Sequence, residues 1–550
     1  MKKIRIFATA LLLAFTLSSC ESFFDVELDD QAKIEDIFRQ KTEVQKYLSH
    51  LYSYIPQEEE VVGMHGWTVG RADESLFSWY QWVYYTQFRT GNYSSATTNF
   101  NYWPDYYIGI NQCSIFLKYI DLDKEDTPAT LAYMKAEARF LRAYYYFLLF
   151  RQYGPVFIWG DQIADETIDG VTISADYFLQ LAADAAWAIM EQNKYSLYKG
   201  NTLKLDAPYR EYFILEDGDA KETILSMRFN ADILVRHGIQ FTFRNMRHSA
   251  TQRLVNHYLM ADGSKIQDQP GYETMTYNQQ FQNRDPRMAQ TLMAPGYVDL
   301  NGIDEVIEDC KSYDMTGYRF IKFVSDDTHN GATTSTTDWP VFRYPEILLT
   351  YAEAKAELGT LTPEDIALTV DVVRDRVGMP ALDMTAANNN PDPLMASYYP
   401  NVNSGANKGV ILEIRRERTV ELPCEGLRQW DMLRWKEGAQ LVPSSNGLDG
   451  FLGCYFPSLG EYDMNGDGKM DLCLWSGTKP ATTCDAMLEI GEGKDAQLTE
   501  GTSGYIVCFR GRTYKWEEGR DYLWPIPTDQ RVATGGALSQ NPGYEDGLSF

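Results

Sequence analysis

Residues 345–378 read PEILLTYAEAKAELGTLTPEDIALTVDVVRDRVG, and the punctuation of this stretch decides the fold. Pro345 suits a first helical turn, where a missing amide costs nothing, and Gly359 suits the left-handed exit from a helix. Thr362 then stands as an N-cap before Pro363, and the second run ends at Gly378. The spacing predicts two helices of about 14 residues each, lined with alanine and joined by a tight turn. Such a pair reads as a tetratricopeptide-like hairpin.

Two more segments belong with it. Residues 133–151 (YMKAEARFLRAYYYFLLFR) put Ala136, Phe140, Ala143 and Phe147 on one stripe and Lys135, Arg139 and Arg142 on another. The second half is apolar all round and therefore reads as buried, with Gly154-Pro155 as its stop. Residues 174–192 (SADYFLQLAADAAWAIMEQ) read as a further helix. Residues 60–104, 200–340 and 440–530 break this pattern: they are rich in Gly, Asn, Tyr and Thr, with only short strand-like runs such as Gly504–Phe509. The expected fold is mainly α, a tetratricopeptide-like helical scaffold with long irregular loops and a few short strands. Loops of that length in a compact protein usually carry function.

The 550 residues contain 50 Lys+Arg and 77 Asp+Glu, a net charge of −27. That surface repels nucleic acid and anionic membranes, which excludes a nucleic-acid function. Apolar residues at 44 % and charged residues at 23 % are ordinary globular values. Aromatic residues reach 14 %, with 37 Tyr and 12 Trp, more than a core obviously needs and well suited to stacking ligands.

Lys2, Lys3 and Arg5, the apolar run Ile6–Leu17 and the site Leu17-Ser18-Ser19-Cys20 read as a secretory leader, residues 1–19. Cleavage before Cys20 resembles a lipoprotein lipobox, so the thiol of Cys20 is the expected lipidation site and the mature chain is expected to be anchored rather than spanning. Residues 20–550 then form one domain, with ligand-binding loops expected near 60–110 and 200–340. Seven further cysteines are an odd number, and one or two disulfides among Cys454, Cys473, Cys484 and Cys508 are allowed by an oxidising compartment.

Three patterns carry candidate chemistry. RRERTVEL, residues 415–422, sets arginines and glutamates at helical spacing, which reads as an ion-pair network fastening the C-terminal segment to the scaffold. Residues 462–471 (YDMNGDGKMD) place Asp463, Asn465, Asp467 and Asp471, with the Lys469 carbonyl, at calcium-loop positions; the site would be structural. The glutamate expected at position 12 is Leu474, and a solvated turn that binds nothing is the competing reading. The third pattern is an aromatic cluster at 65–107. A pyranose needs an aromatic platform for its C–H face and polar groups for its hydroxyls. Trp67, Trp79, Trp82, Tyr84 and Tyr85 supply the first, and Arg71 and Asn99 the second, with Tyr297 and Tyr313 as further candidates from a later loop. Trp103 and Tyr107 read as core. No HExxH, GxSxG or P-loop motif is present, and the six histidines show no ligand spacing, so no catalytic residue is expected.

The order of several motifs resembles one family, the SusD/RagB nutrient-binding lipoproteins. They are Ala136-Glu137-Ala138-Arg139-Phe140-Leu141-Arg142-Ala143-Tyr144, Tyr153-Gly154-Pro155, Asn283-Arg284-Asp285-Pro286-Arg287, Phe342-Arg343-Tyr344, Arg415–Leu422, Glu425-Gly426-Leu427-Arg428, Trp524-Pro525-Ile526-Pro527 and Asn541-Pro542-Gly543-Tyr544. The resemblance implies a SusD-like fold and a cell-surface protein that is not an enzyme. Such a protein captures oligosaccharide, or in some members peptide, and delivers it to a SusC-like TonB-dependent transporter in the outer membrane. A glycoside hydrolase and a purely structural lid are the alternatives. The chain departs from the family in reaching the helix at 174 early and in carrying Pro345 where alanine is usual.

Overall fold

The computed structural model describes residues 33–61, 67–77, 83–96, 101–156, 175–200, 202–246, 248–302, 310, 315–326, 329, 331–402, 405–442, 452–508 and 514–548. The chain divides into two compact units, Met1–Ile55 with Asn101–Asp165, and Pro56–Phe100 with Glu166–Phe550. Among the described residues no helix is long and apolar enough to cross a membrane.

The first unit is built on helices Lys41–Leu51, Trp103–Tyr119 and Pro128–Tyr153. The last of these starts earlier than the expected 133, because the Thr127 hydroxyl accepts the Thr130 amide at 3.2 Å and Pro128 fills the first turn. It buries Ala138, Leu141, Tyr145, Leu148 and Gln152. The expected stripe is therefore wrong: Phe140 and Phe147 are 46 % and 50 % exposed. A segment apolar on every side gives periodicity no phase. The buried face includes Tyr145, whose hydroxyl donates to the Leu51 carbonyl. Trp103 is core, its ring 5.1 Å from that of Tyr153.

In the second unit, helix Tyr344–Glu357 packs against both Ala175–Met190 and Lys408–Glu421. Buried Ala352, Ala354 and Ala356 allow close approach, and Gly359, at φ +72°, ends the helix. Thr362 and Asp365 form a reciprocal cap: the Thr362 hydroxyl accepts the Asp365 amide at 3.2 Å, and the Asp365 carboxylate accepts the Thr362 amide at 2.9 Å. The expected second helix is broken into Pro363–Leu368 and Val370–Asp375. At the break, Thr369 leaves helical geometry (φ −130°, ψ −85°) and its hydroxyl donates to the Asp365 carbonyl at 2.6 Å. Threonine competes for backbone carbonyls in this way inside helices.

Helix Lys408–Glu421 is buried along its length, charges included. Glu421 takes Arg376 at 2.5 Å, Arg343 at 2.7 Å and Arg287 at 3.2 Å. Glu417 takes Arg287 at 2.5 Å and Arg374 at 2.8 Å, Arg418 pairs with Asp431 at 3.0 Å, and Arg416 pairs with Asp392. The RRERTVEL expectation holds: most of the ties run across elements, and Arg416 also pairs with Glu413 along the helix at 3.2 Å. Burial would raise the Glu421 carboxyl, but Arg376, Arg343 and Arg287 overcome it and hold the group at about 2.

Short strands complete the unit. Ser75–Phe77 pairs antiparallel with His248–Ala250, Thr223–Met227 with Trp339–Arg343, and Leu452–Phe456 with Gly504–Val507. Gly460–Tyr462, Leu472–Trp475 and Ala486–Glu489 form a three-stranded sheet whose second pair is parallel. Cys454, Cys473 and Cys484 are free thiols, so the disulfides allowed for 454–508 do not form.

Candidate functional site

A cleft of about 360 Å³ opens in the second unit. Five separate segments build it: helix Gln252–His257, the turn Tyr272–Thr274, helix Pro393–Tyr398, strand Leu452–Phe456, and strand Gly504–Val507 with Glu500 before it. Thr251 caps the first helix by accepting the Leu254 amide at 3.2 Å, and Asp392 caps the third segment through the amides of Leu394 and Met395. Tyr455 and Tyr505 are direct partners across the antiparallel pair, so both rings project from the same face. Their centroids are 5.3 Å apart and the planes meet at 72°, which makes two aromatic walls at a steep angle.

Below them lies a fixed polar chain. The Tyr318 hydroxyl donates to Gln252 at 2.7 Å, the Gln252 amide donates to Asn256 at 2.9 Å, and the Asn256 amide donates to the Tyr398 hydroxyl at 3.0 Å. Each bond fixes the orientation of the next side chain, so Asn256 and Tyr398 are held in place before any ligand arrives. The Arg253 guanidinium lies 4.4 Å over the Tyr398 ring and donates to Gln440 at 2.9 and 2.6 Å. The rim is tied down as well: the Tyr505 hydroxyl donates to the Glu273 carbonyl at 2.6 Å, and burial with the nearby Glu273 charge raises its pKa above the ordinary phenol value. Glu273 and Glu500 are exposed at the mouth. Together these residues offer flat apolar faces, amide and carboxylate hydrogen-bonding groups, and little freedom to rearrange.

Of the residues expected from sequence, Arg71 and Tyr297 do not line this cleft. Arg71 is 1 % exposed, its guanidinium 4.7 Å from the Phe88 ring and 4.5 Å from the Trp524 ring, so it is a packing residue. Tyr297 is buried as well, its hydroxyl accepting from Arg210 at 2.8 Å. Two polar residues interleaved with the aromatic cluster, Asp73 and Glu74, are likewise spent on the core. Asp73 is bound by Arg428 at 2.7 Å, and Glu74 accepts the Cys424 amide at 3.0 Å, with burial pushing its carboxyl up to about 8. Trp67 opens the helix Trp67–Arg71, and Tyr84 and Tyr85 sit in the helix Val83–Thr90. Trp79, Trp82, Asn99, Tyr313 and Cys20 lie outside the described residues.

The expected calcium loop is bound to itself. Asp463 accepts the amides of Gly466 and Gly468 at 2.6 and 2.8 Å, Asp471 that of Met464 at 2.7 Å, Asn465 that of Asp467 at 2.9 Å, and Asp467 that of Lys469 at 2.7 Å. Among the described residues, no group of three or more His, Cys, Asp or Glu side chains is placed to hold a metal ion. The carboxylates accept the amides of a glycine-rich turn.

Comparison with known families assigns the class. The SusD family model matches residues 244–544, more than half of the chain, and the chain belongs to that family. A second model, described as starch-binding associating with outer membrane, matches residues 22–198. Among solved structures, a SusD-like carbohydrate-binding protein from Bacteroides fragilis is similar at a TM-score of 0.64 and 18 % identity, over 90 % of this chain and 98 % of its own. A second SusD-like protein from the same organism is similar at 0.61 and 19 %, over 94 % and 100 %. Surface glycan-binding protein A from Bacteroides fluxus is similar at 0.53 and 14 %, over 92 % and 100 %. A comparison with curated proteins found no match. The fold is thus the mainly α SusD fold that the order of motifs implied, on the tetratricopeptide-like scaffold that the hairpin at 345–378 pointed to.

Proposed function

We propose that the protein is a cell-surface glycan-binding lipoprotein, anchored to the outer membrane through Cys20, that captures oligosaccharide and delivers it to a SusC-like TonB-dependent transporter. The observation that carries the reading is the pair of tyrosine walls, Tyr455 and Tyr505, lining one cleft with a pre-oriented Asn256. A sugar ring can stack its C–H face on one wall while its hydroxyls reach the amide and the rim carboxylates. The family assignment and the surface glycan-binding name of the Bacteroides fluxus relative support the same reading. No chemical step is assigned to the cleft: the protein binds and releases, and modest affinity per sugar suits a donor that must hand its cargo on.

Native affinity electrophoresis through gels holding plant, host and microbial polysaccharides tests the proposal. Retardation by a glycan that is recovered unshortened is the expected result. Retardation by none, or shortening of the retarding glycan, overturns it.

A further inference from the structure

We infer that the cleft selects uncharged oligosaccharides and rejects uronic-acid-bearing and sulfated ones; this deepens the glycan-binding reading above and rests on it. The argument starts from the charges that face the cavity. Glu273 and Glu500 stand exposed at its mouth, contributed by two different segments, the turn at 272–274 and the residues preceding strand Gly504–Val507. Carboxylates accept hydrogen bonds from sugar hydroxyls, and a ligand carboxylate or sulfate between them meets like charge instead.

Recognition of an anionic sugar would need a guanidinium free to make a two-pronged bond. Arg253 is the one cation among the described lining residues, and it is 4 % exposed. Both of its terminal nitrogens are engaged: Nη1 donates to the Gln440 carbonyl at 2.9 Å and lies 3.6 Å from Asp73, and Nη2 donates to the Gln440 side chain at 2.6 Å. Its charge is also balanced by Asp73 and its face is covered by Tyr398. An anion entering the cleft therefore gains no open arginine fork from the described lining residues, while the two rim carboxylates and the protein's charge of −27 oppose it. A neutral sugar loses nothing to these charges and can use Tyr455, Tyr505, Asn256 and both carboxylates. The cavity volume lies at the small end of ligand sites, so a short stretch of the chain is held, not a long one.

Calorimetric titration of the full-length protein with matched sets of oligosaccharides tests this. The neutral set is β-glucan, xylan and mannan fragments; the anionic set is oligogalacturonate and chondroitin sulfate fragments of the same length. At least one neutral fragment should bind, and every anionic fragment should bind at least about tenfold more weakly at 0.15 M salt. In the double variant Glu273→Gln with Glu500→Gln, the ratio of neutral to anionic affinity should fall by threefold or more. An anionic fragment that binds as tightly as the best neutral one and is displaced by it overturns the selectivity and leaves glycan capture standing. If no fragment of either set binds the folded protein, the glycan reading of the cleft falls, and the selectivity with it.

Discussion

Two regions of the second unit use the same kinds of side chain to opposite ends. Along helix Lys408–Glu421, arginines and glutamates are buried and pair with one another, so that Glu421 alone takes three guanidinium groups. Around the cleft, tyrosines and glutamates border a cavity: the Tyr455 and Tyr505 rings face each other across a strand pair, and Glu273 and Glu500 are exposed. The difference teaches that a charge cluster in sequence says little about function until its neighbours are known. Burial with partners makes a clamp, whereas exposure beside aromatic walls makes a binding surface.

The largest expected effect breaks the clamp. Glu421→Ala takes one carboxylate from buried Arg376, Arg343 and Arg287, leaving the first two paired with Glu222, and removal of one partner from a buried ion pair costs about 3–5 kcal/mol. Urea denaturation should show that loss or an insoluble chain. Tyr505→Ala sits on the other side of the comparison. It removes one aromatic wall from a partly exposed strand, so glycan affinity should fall about tenfold or more, roughly 1.4 kcal/mol. Its urea midpoint should fall much less than that of Glu421→Ala. If both variants destabilised equally, the cleft tyrosines would belong to the clamp.

The two regions also differ in how legible they were. The hairpin at 345–378 announced itself through Pro, Gly and Thr at fixed offsets, and RRERTVEL through helical charge spacing; both are local signals that the folded chain respects. Thr369 was the exception, because a single hydroxyl that bonds back to Asp365 outcompetes the helix pattern around it. The cleft had no local signal. Tyr455 and Tyr505 are 50 positions apart and meet only through strand register, and Asn256 is useful only because Gln252 and Tyr318 orient it. The aromatic density at 65–107 drew attention to Arg71 and its neighbours, but density of aromatic residues marks core as readily as it marks a site.

A pH series sharpens the contrast within the buried set. Glu421 and Glu353 are each held at about 2, against an ordinary 4.5, by burial opposed and overcome by arginines. Groups depressed in this way stabilise the fold above pH 4.5 and lose that contribution as the pH falls toward 2. Glu74 runs the other way. Burial raises it from 4.5 to about 8, so its contribution is whole below pH 4.5 and is lost as the pH rises through 8. Stability measured by urea denaturation should therefore decline on both flanks. In Glu74→Gln, which keeps the neutral form at every pH, the alkaline decline should shrink while the acid one remains. An alkaline limb unchanged in that variant would assign it to another group.

The smallest expected effect concerns the loop at 463–471, a third use of carboxylates. Here they are not clamped by arginine but bound to the amides of their own turn. A calcium site with a dissociation constant one-hundredth of the added ion would stabilise the fold by about 2.7 kcal/mol, a shift of about 2 °C for a chain of this length. Because the loop already satisfies its amides and its acids do not converge, millimolar calcium added after chelation should move the melting temperature by less than about 1 °C relative to magnesium. Asp463→Ala should cost about 1 kcal/mol with or without calcium, since it strips two amide bonds from the turn. A calcium-dependent rise of about 2 °C or more that vanishes in Asp463→Ala would move this loop out of the self-bound class and make its acids ligands after all.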